Sequence, residues 1–174
     1  MPLCVLLLLA TSCSGDMNDI ARFERQNPPD QEIRQARIHR TERGRLQVEV
    51  EAPLITRYSQ PSARTLYPNG VMLRFYDEQR QLKTTISSGQ AVSYDDRNIM
   101  KASDSVVVVD YSNGDTIYLE DIIWRDDEDI LFSNHPVRAV NGKRVTYGDG
   151  FVSDEQMTNL RITRQRGVIE FNDN

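Results

Sequence analysis

The sequence predicts an all-β protein organised as one antiparallel domain. Three observations predict it: short runs alternate apolar and polar residues, Asn-Gly and Asp-Gly pairs separate them, and no helical periodicity follows residue 34. Leu46, Val48 and Val50 alternate with Gln47, Glu49 and Glu51, which puts apolar groups on one face. Pro53, lacking an amide donor, is expected to end that run. Val71, Leu73 and Phe75 repeat the pattern against Met72, Arg74 and Tyr76. Further strand-like runs are 83–86, 91–94, 106–111, 116–124, 130–133, 137–140, 145–147 and 160–171. Four consecutive valines, Val106 to Val109, indicate a strand at least partly covered on both faces. The pairs Asn69-Gly70, Asn113-Gly114, Asn141-Gly142 and Asp149-Gly150 accept the positive φ angles of tight hairpin turns. These features fit a sandwich, a barrel or a jelly roll.

The N-terminus reads differently. Leu3 to Ala10 is an unbroken apolar run, too short for a bilayer core that needs about 20 helical residues. It suits the apolar region of a secretory signal. Thr11 and Ser12, small residues leading to Cys13, are similar to a lipobox, although Ala10 stands where a stricter one has leucine. The expected organisation is a lipoprotein signal peptide at 1–12, then a lipidated Cys13 and polar tether at 13–33. The β domain follows at 34–174. The chain's two cysteines are Cys4 and Cys13, so the mature protein would keep one thiol and no intrachain disulfide.

The 174 residues carry a formal net charge of -5, the wrong sign for a nucleic-acid partner. His39 and His135 stand far apart and outside any metal-ligand spacing. The acidic runs 126–129 and 110–115 lack the glycine step of a calcium loop and read as solvated turns. Neither a nucleophile elbow nor a phosphate-binding glycine loop is present. No cofactor, metal or catalytic residue is expected.

From residue 91 onward, the order and spacing of several segments resemble the LptC family, the periplasmic component of the lipopolysaccharide export machine. The resemblance begins at Ala91-Val92-Ser93-Tyr94 and continues through Ala102 to Asp110. It is sharpest in Gly114-Asp115-Thr116-Ile117-Tyr118-Leu119-Glu120-Asp121-Ile122-Ile123-Trp124. Ile130-Leu131-Phe132-Ser133, Pro136-Val137, Asn141-Gly142 and Gly148-Asp149-Gly150-Phe151 with Asp154 follow. Leu160-Arg161-Ile162 and the stretch from Gly167 to Phe171 complete it. Many members are held by an N-terminal transmembrane helix; the apolar run here is too short to supply one, so a lipid anchor would be expected to replace it.

The resemblance implies one twisted, OstA-like β-jellyroll with an open apolar groove and no catalysis. Its partners would be lipopolysaccharide, the permeases of an inner-membrane ABC transporter, and a periplasmic bridge protein of related fold. The protein would sit lipid-anchored on the periplasmic face of the envelope, at the inner membrane. Alternation nominates Leu46, Val48, Val71, Leu73, Phe75, Leu119, Phe132, Phe151, Ile162 and Ile169 as groove lining. Gly148, Gly150, Val168, Ile169 and Phe171 are the expected partner-strand edge. The rival reading is a surface lipoprotein whose β-sandwich binds glycan or lipid. A secreted hydrolase stands further off, since it needs a convergent carboxylate pair.

Overall fold

A computed structural model describes residues 28–171. Fourteen strands join in one antiparallel sheet, and among the described residues the one helical element is a 3-10 turn at Asp126–Glu128. Two long hairpins frame the sheet: β1 (Gln31–Glu42) with β2 (Arg45–Tyr58), and β7 (Ile99–Asp110) with β8 (Asp115–Arg125). Between and beyond them the sheet splits into two layers, and the long strands belong to both. In the first layer, residues 48–51 of β2 pair with β4 (Val71–Tyr76), which pairs with β5 (Leu82–Ser88), which pairs with residues 107–110 of β7. Residues 115–119 of β8 carry this layer on to β10 (Val137–Asn141), β11 (Arg144–Gly148) and β14 (Gly167–Glu170). In the second layer, residues 56–58 of β2 pair with β3 (Arg64–Tyr67), then β6 (Gln90–Tyr94), then residues 99–103 of β7. Residues 123–125 of β8 continue it to β9 (Ile130–Ser133), β12 (Phe151–Ser153) and β13 (Arg161–Ile162). This is a β-jellyroll.

Strands that change layer must bend, and bends occur at bulges and irregular residues. In β7, Asp104 and Ser105 both take positive φ (66° and 58°), and the register to β8 slips there. In β1, Gln35 takes φ 50° opposite Pro53 of β2, and the ladder skips that pair. Pro53 therefore bends β2 without ending it: the strand runs on to Tyr58. Strand β1 begins at Gln31, within the stretch expected to be tether.

The glycine turns divide by the same logic. Asn113-Gly114 closes the β7–β8 hairpin, and Gly142 with Lys143 forms the two-residue loop between β10 and β11. Asn69-Gly70 and Asp149-Gly150 instead connect strands that do not pair, carrying the chain from one layer to the other. The tight turn of the first hairpin is Arg43-Gly44, at φ 50° and 75°.

The core lies between the layers. Leu73, Phe75, Ile86, Val108 and Ile117 face it from the first layer; Ile122, Trp124 and Leu131 face it from the second. Phe75 and Trp124 meet edge to face across it, with ring centroids 5.3 Å apart.

Candidate functional site

Directly opposed residues in antiparallel strands share a face. One such row crosses the whole first layer on its inner side: Ile38, Val50, Leu73, Ile86, Val108, Ile117, Ala139, Thr146 and Val168. The opposite face near β2 is charged. There Arg74 pairs with Glu49 and Glu51 at 2.8 Å each, and Arg37 reaches Glu51 at 3.3 Å.

Of the residues nominated as groove lining, Val48, Val71, Leu73, Phe75, Leu119 and Phe151 are buried in the core between the layers, and Leu46 and Ile162 are half-buried. Two lie elsewhere. Phe132 sits in a cross-strand row with Ile123, Val152 and exposed Lys101, while its neighbour Leu131 points into the core. Arg125 lies over the Phe132 ring at 5.3 Å. Ile169 stands in the row of Val145 and Val140, so Val168 is the inward residue of β14. A slip of one residue reverses a strand's faces, and in both strands the residue facing the core side is the neighbour of the one nominated.

The space between the layers is not an open trough along its length. At the end marked by Phe75 and Trp124 it is closed by the segment 154–160. Met157, 1% exposed, enters the core at φ 61° on a turn in which its amide donates to the Asp154 carbonyl. The Asp154 carboxylate accepts from the Thr158 amide and the Asn159 side chain, 2.7 Å each. Next to Met157, Glu155 accepts from the Trp124 indole at 2.7 Å and pairs with Arg40, which also bridges to Asp126. Burial pushes the Glu155 carboxyl above the ordinary glutamate value, against the lowering pull of Arg40. None of these roles is marked locally in the sequence, because Arg40, Trp124 and Glu155 belong to distant segments.

At the other end the layers part. A cavity of about 480 Å³ opens between the β8–β10–β11 face and the segment 160–162. Ala139, Thr146, Leu160 and Ile162 line it together with Asn113, Asp115, Asn141 and Arg144. Sites for small ligands commonly occupy roughly 300–1,000 Å³.

The expected edge residues also separate. Gly148 and Gly150 lie under residues 162–163: a Cβ on Gly148 would come within 2.7 Å of the Thr163 carbonyl oxygen and would overlap Ile162, and one on Gly150 would overlap the Thr163 hydroxyl. Among the described residues β14 is a free edge, pairing with β11 on one side only, and Val168, Ile169 and Phe171 are 43%, 46% and 59% exposed.

A second polar cluster ties β8 to the β9–β10 connection. Asp121 accepts from the Ser133 hydroxyl at 2.9 Å and lies 2.7 Å from His135 Nδ1 and 3.5 Å from Lys101 Nζ. The Ser133 hydroxyl is turned to the carboxylate, not to the imidazole, so this is not a nucleophile–base arrangement. Among the described residues, no group of three or more His, Cys, Asp or Glu is placed to hold a metal ion, and no helix is long and apolar enough to cross a membrane. Cys13 and the segment expected to be a signal peptide lie outside the described residues.

A family model described as lipopolysaccharide-assembly, LptC-related, matches residues 3–170. The chain belongs to the LptC family. No curated protein matches it. LptC proteins are transport-bridge components, not an enzyme family, and their work is lipopolysaccharide transport. This LptC protein is therefore a component of that system, associated with the envelope on its periplasmic side.

Proposed function

We propose that this LptC protein receives lipopolysaccharide from the permeases of an inner-membrane ABC transporter and passes it, without chemistry, to a periplasmic bridge protein of related jellyroll fold. The observation that carries the reading is the inward apolar row of the first layer. It runs from Ile38 through Ile117 to Ala139 and Thr146 at the cavity, and ends on β14, whose outer edge has no partner strand among the described residues. An acyl chain at the Ala139–Thr146 end of this row, where the cavity opens, is shielded on one side and stays next to the edge where a partner strand can add.

Partial shielding suits transit. Each buried methylene contributes about 0.8 kcal/mol, so several fully enclosed chains would approach the limit of non-covalent affinity, near -18 to -21 kcal/mol, and leave very slowly. Met157 and its pins bound the path at the filled end, so lipid passing between the layers there requires segment 154–160 to move aside.

Two neighbours on β11 test the path, because Thr146 faces the cavity and Tyr147 the opposite side. A photocrosslinking residue at Thr146 is expected to capture lipopolysaccharide in cells, and one at Tyr147 to capture little. Equal capture at both positions would refute an internal path. The anchor is tested separately: a Cys13→Ala variant is expected to lose incorporation of radiolabelled palmitate and its membrane association.

A further inference from the structure

The filled end of the molecule is closed by a hairpin loop. β12 and β13 pair antiparallel, Phe151 with Ile162 and Val152 with Arg161, and segment 154–160 is the loop between them, with Met157 in the core and Leu160 at its margin. The root of the hairpin is fixed: the Thr163 amide donates to the Gly150 carbonyl at 2.9 Å, and the Asp149 amide donates to the Thr163 carbonyl at 3.1 Å. A loop whose ends lie side by side can swing about them without breaking a strand pair. The bonds of the Asp154 carboxylate to Thr158 and Asn159 stay inside the loop and travel with it. Glu155 ties the loop to the rest: its carboxylate accepts from Trp124, and its amide donates to Asp129 Oδ1 at 3.3 Å.

Charge at this corner does not balance. Arg40 of β1 lies over the Trp124 ring at 5.3 Å, bridges to Asp126 and reaches Glu155 at 3.4 Å. Facing it are Asp126 of the 3-10 turn, Asp129 just beyond that turn, and Glu155. Asp154 is engaged within the loop, and Asp127 is exposed. Arg125 and Glu128 pair with each other at 3.1 Å, with the guanidinium over Phe132. One guanidinium therefore serves three carboxylates. The Glu155 side chain is the one withdrawn from water, at 15% exposure against 40% for Asp126.

A proton on Glu155 relieves the excess where ionisation costs most. The contacts tolerate it: a neutral carboxyl keeps a carbonyl oxygen that accepts from the indole, and Arg40 keeps Asp126 as its counter-ion. We infer that segment 154–160 is a proton-fastened latch, in which one proton taken up by Glu155 holds the loop over the core and its loss frees the loop to swing. The closed loop binds this proton more tightly than the open one, so acid favours closure. That advantage is lost as pH rises through the closed-state value, which burial holds above the ordinary 4.5. What the latch does for transport rests on the lipid path proposed above; the latch itself does not.

The test reads Met157 and Trp124 in the full-length protein without lipid. Mass spectrometry follows oxidation of Met157 by dilute peroxide, relative to half-buried Met72 on the outer face. Acrylamide quenching reports on Trp124, the chain's single tryptophan. From neutral pH down to 4.5, the ordinary glutamate value, both signals are expected to fall at least threefold. Glu155→Gln, which is neutral throughout, should give the protected values at every pH. Arg40→Met removes the balancing cation and should move the response to higher pH. Histidine also changes charge between about pH 5 and 8, so His39→Gln and His135→Gln are expected to keep the wild-type response. Circular dichroism and thermal melting check the fold at each pH and in each variant; should Glu155→Gln melt early, the direction of the Arg40→Met shift decides. Protection that ignores pH, a response that survives Glu155→Gln, or one lost in a histidine variant overturns the latch. Each of these leaves the lipid path standing if Thr146 still captures lipopolysaccharide, and loss of that capture with the pH response intact refutes the path alone.

Discussion

Asp121 shows how much one carboxylate can hold. It gathers Ser133, His135 and Lys101 where β8 leaves one layer for the other. Burial raises its pKa, but the hydrogen bonds from His135 and Ser133 outweigh that and leave it below the ordinary 3.8. A carboxyl depressed on folding stabilises the fold above its unfolded value and loses that contribution as pH falls through the folded one. Urea unfolding of the wild type and of Asp121→Asn is therefore expected to differ most at neutral pH. The gap should shrink as pH is taken below 3.8; a gap that stays constant would mean that the charge does not matter. From the sequence, His135 reads as a plain loop histidine, since nothing local announces a carboxylate fourteen positions earlier as its partner. The same holds for Gly148, whose lack of a side chain accommodates Ile162 and Thr163 from a later segment.

At the scale of elements, the strand-like runs located β2 and β4 to β11, marked none at β1, β3 or β12, and drew β13 and β14 as one run. Val71, Leu73 and Phe75 lie in a regular strand and face inward as alternation requires. Phe132 and Ile169 are in short strands, where parity offers few residues to average over. Alternation gives no sign of Met157, since it belongs to no strand and is placed by the Asp154 turn. Yet it is among the most deeply buried side chains. Truncating a buried methionine costs about 2–5 kcal/mol, whereas a volume-conserving exchange costs below about 1.5 kcal/mol. Met157→Ala is thus expected to lower the urea midpoint strongly and Met157→Leu only slightly. If both were near neutral, segment 154–160 would be a surface flap without a core anchor. Glu155 adds a counter-current: raised by burial, it makes the latch less favourable as pH rises through its folded value, because its ionised form is the desolvated one.

Across the whole molecule, the two layers differ in how they end. The second ends in β13, a strand of two residues, and the first ends in β14, exposed along its whole length with no lysine or proline in it. Short strands and edge charges discourage edge-to-edge pairing, so β13 is a poor template and β14 a good one. The inward row ends on β14 and the cavity reaches the neighbouring β11, so the edge that can accept a partner strand lies one strand from the place where lipid would leave. A docking strand extends the row by one more inward residue, turning a local seat into a continuous floor. Ile169→Lys with Phe171→Lys places two charges on the edge at side chains that are already exposed. Monomer stability is then expected to stay within about 0.5 kcal/mol. Copurification with the periplasmic bridge protein should fall at least tenfold, and Thr146 should still capture lipopolysaccharide, which now accumulates on the variant for want of an exit. Undiminished copurification would place the dock elsewhere, with β1 the long strand that is paired on one side only among the described residues.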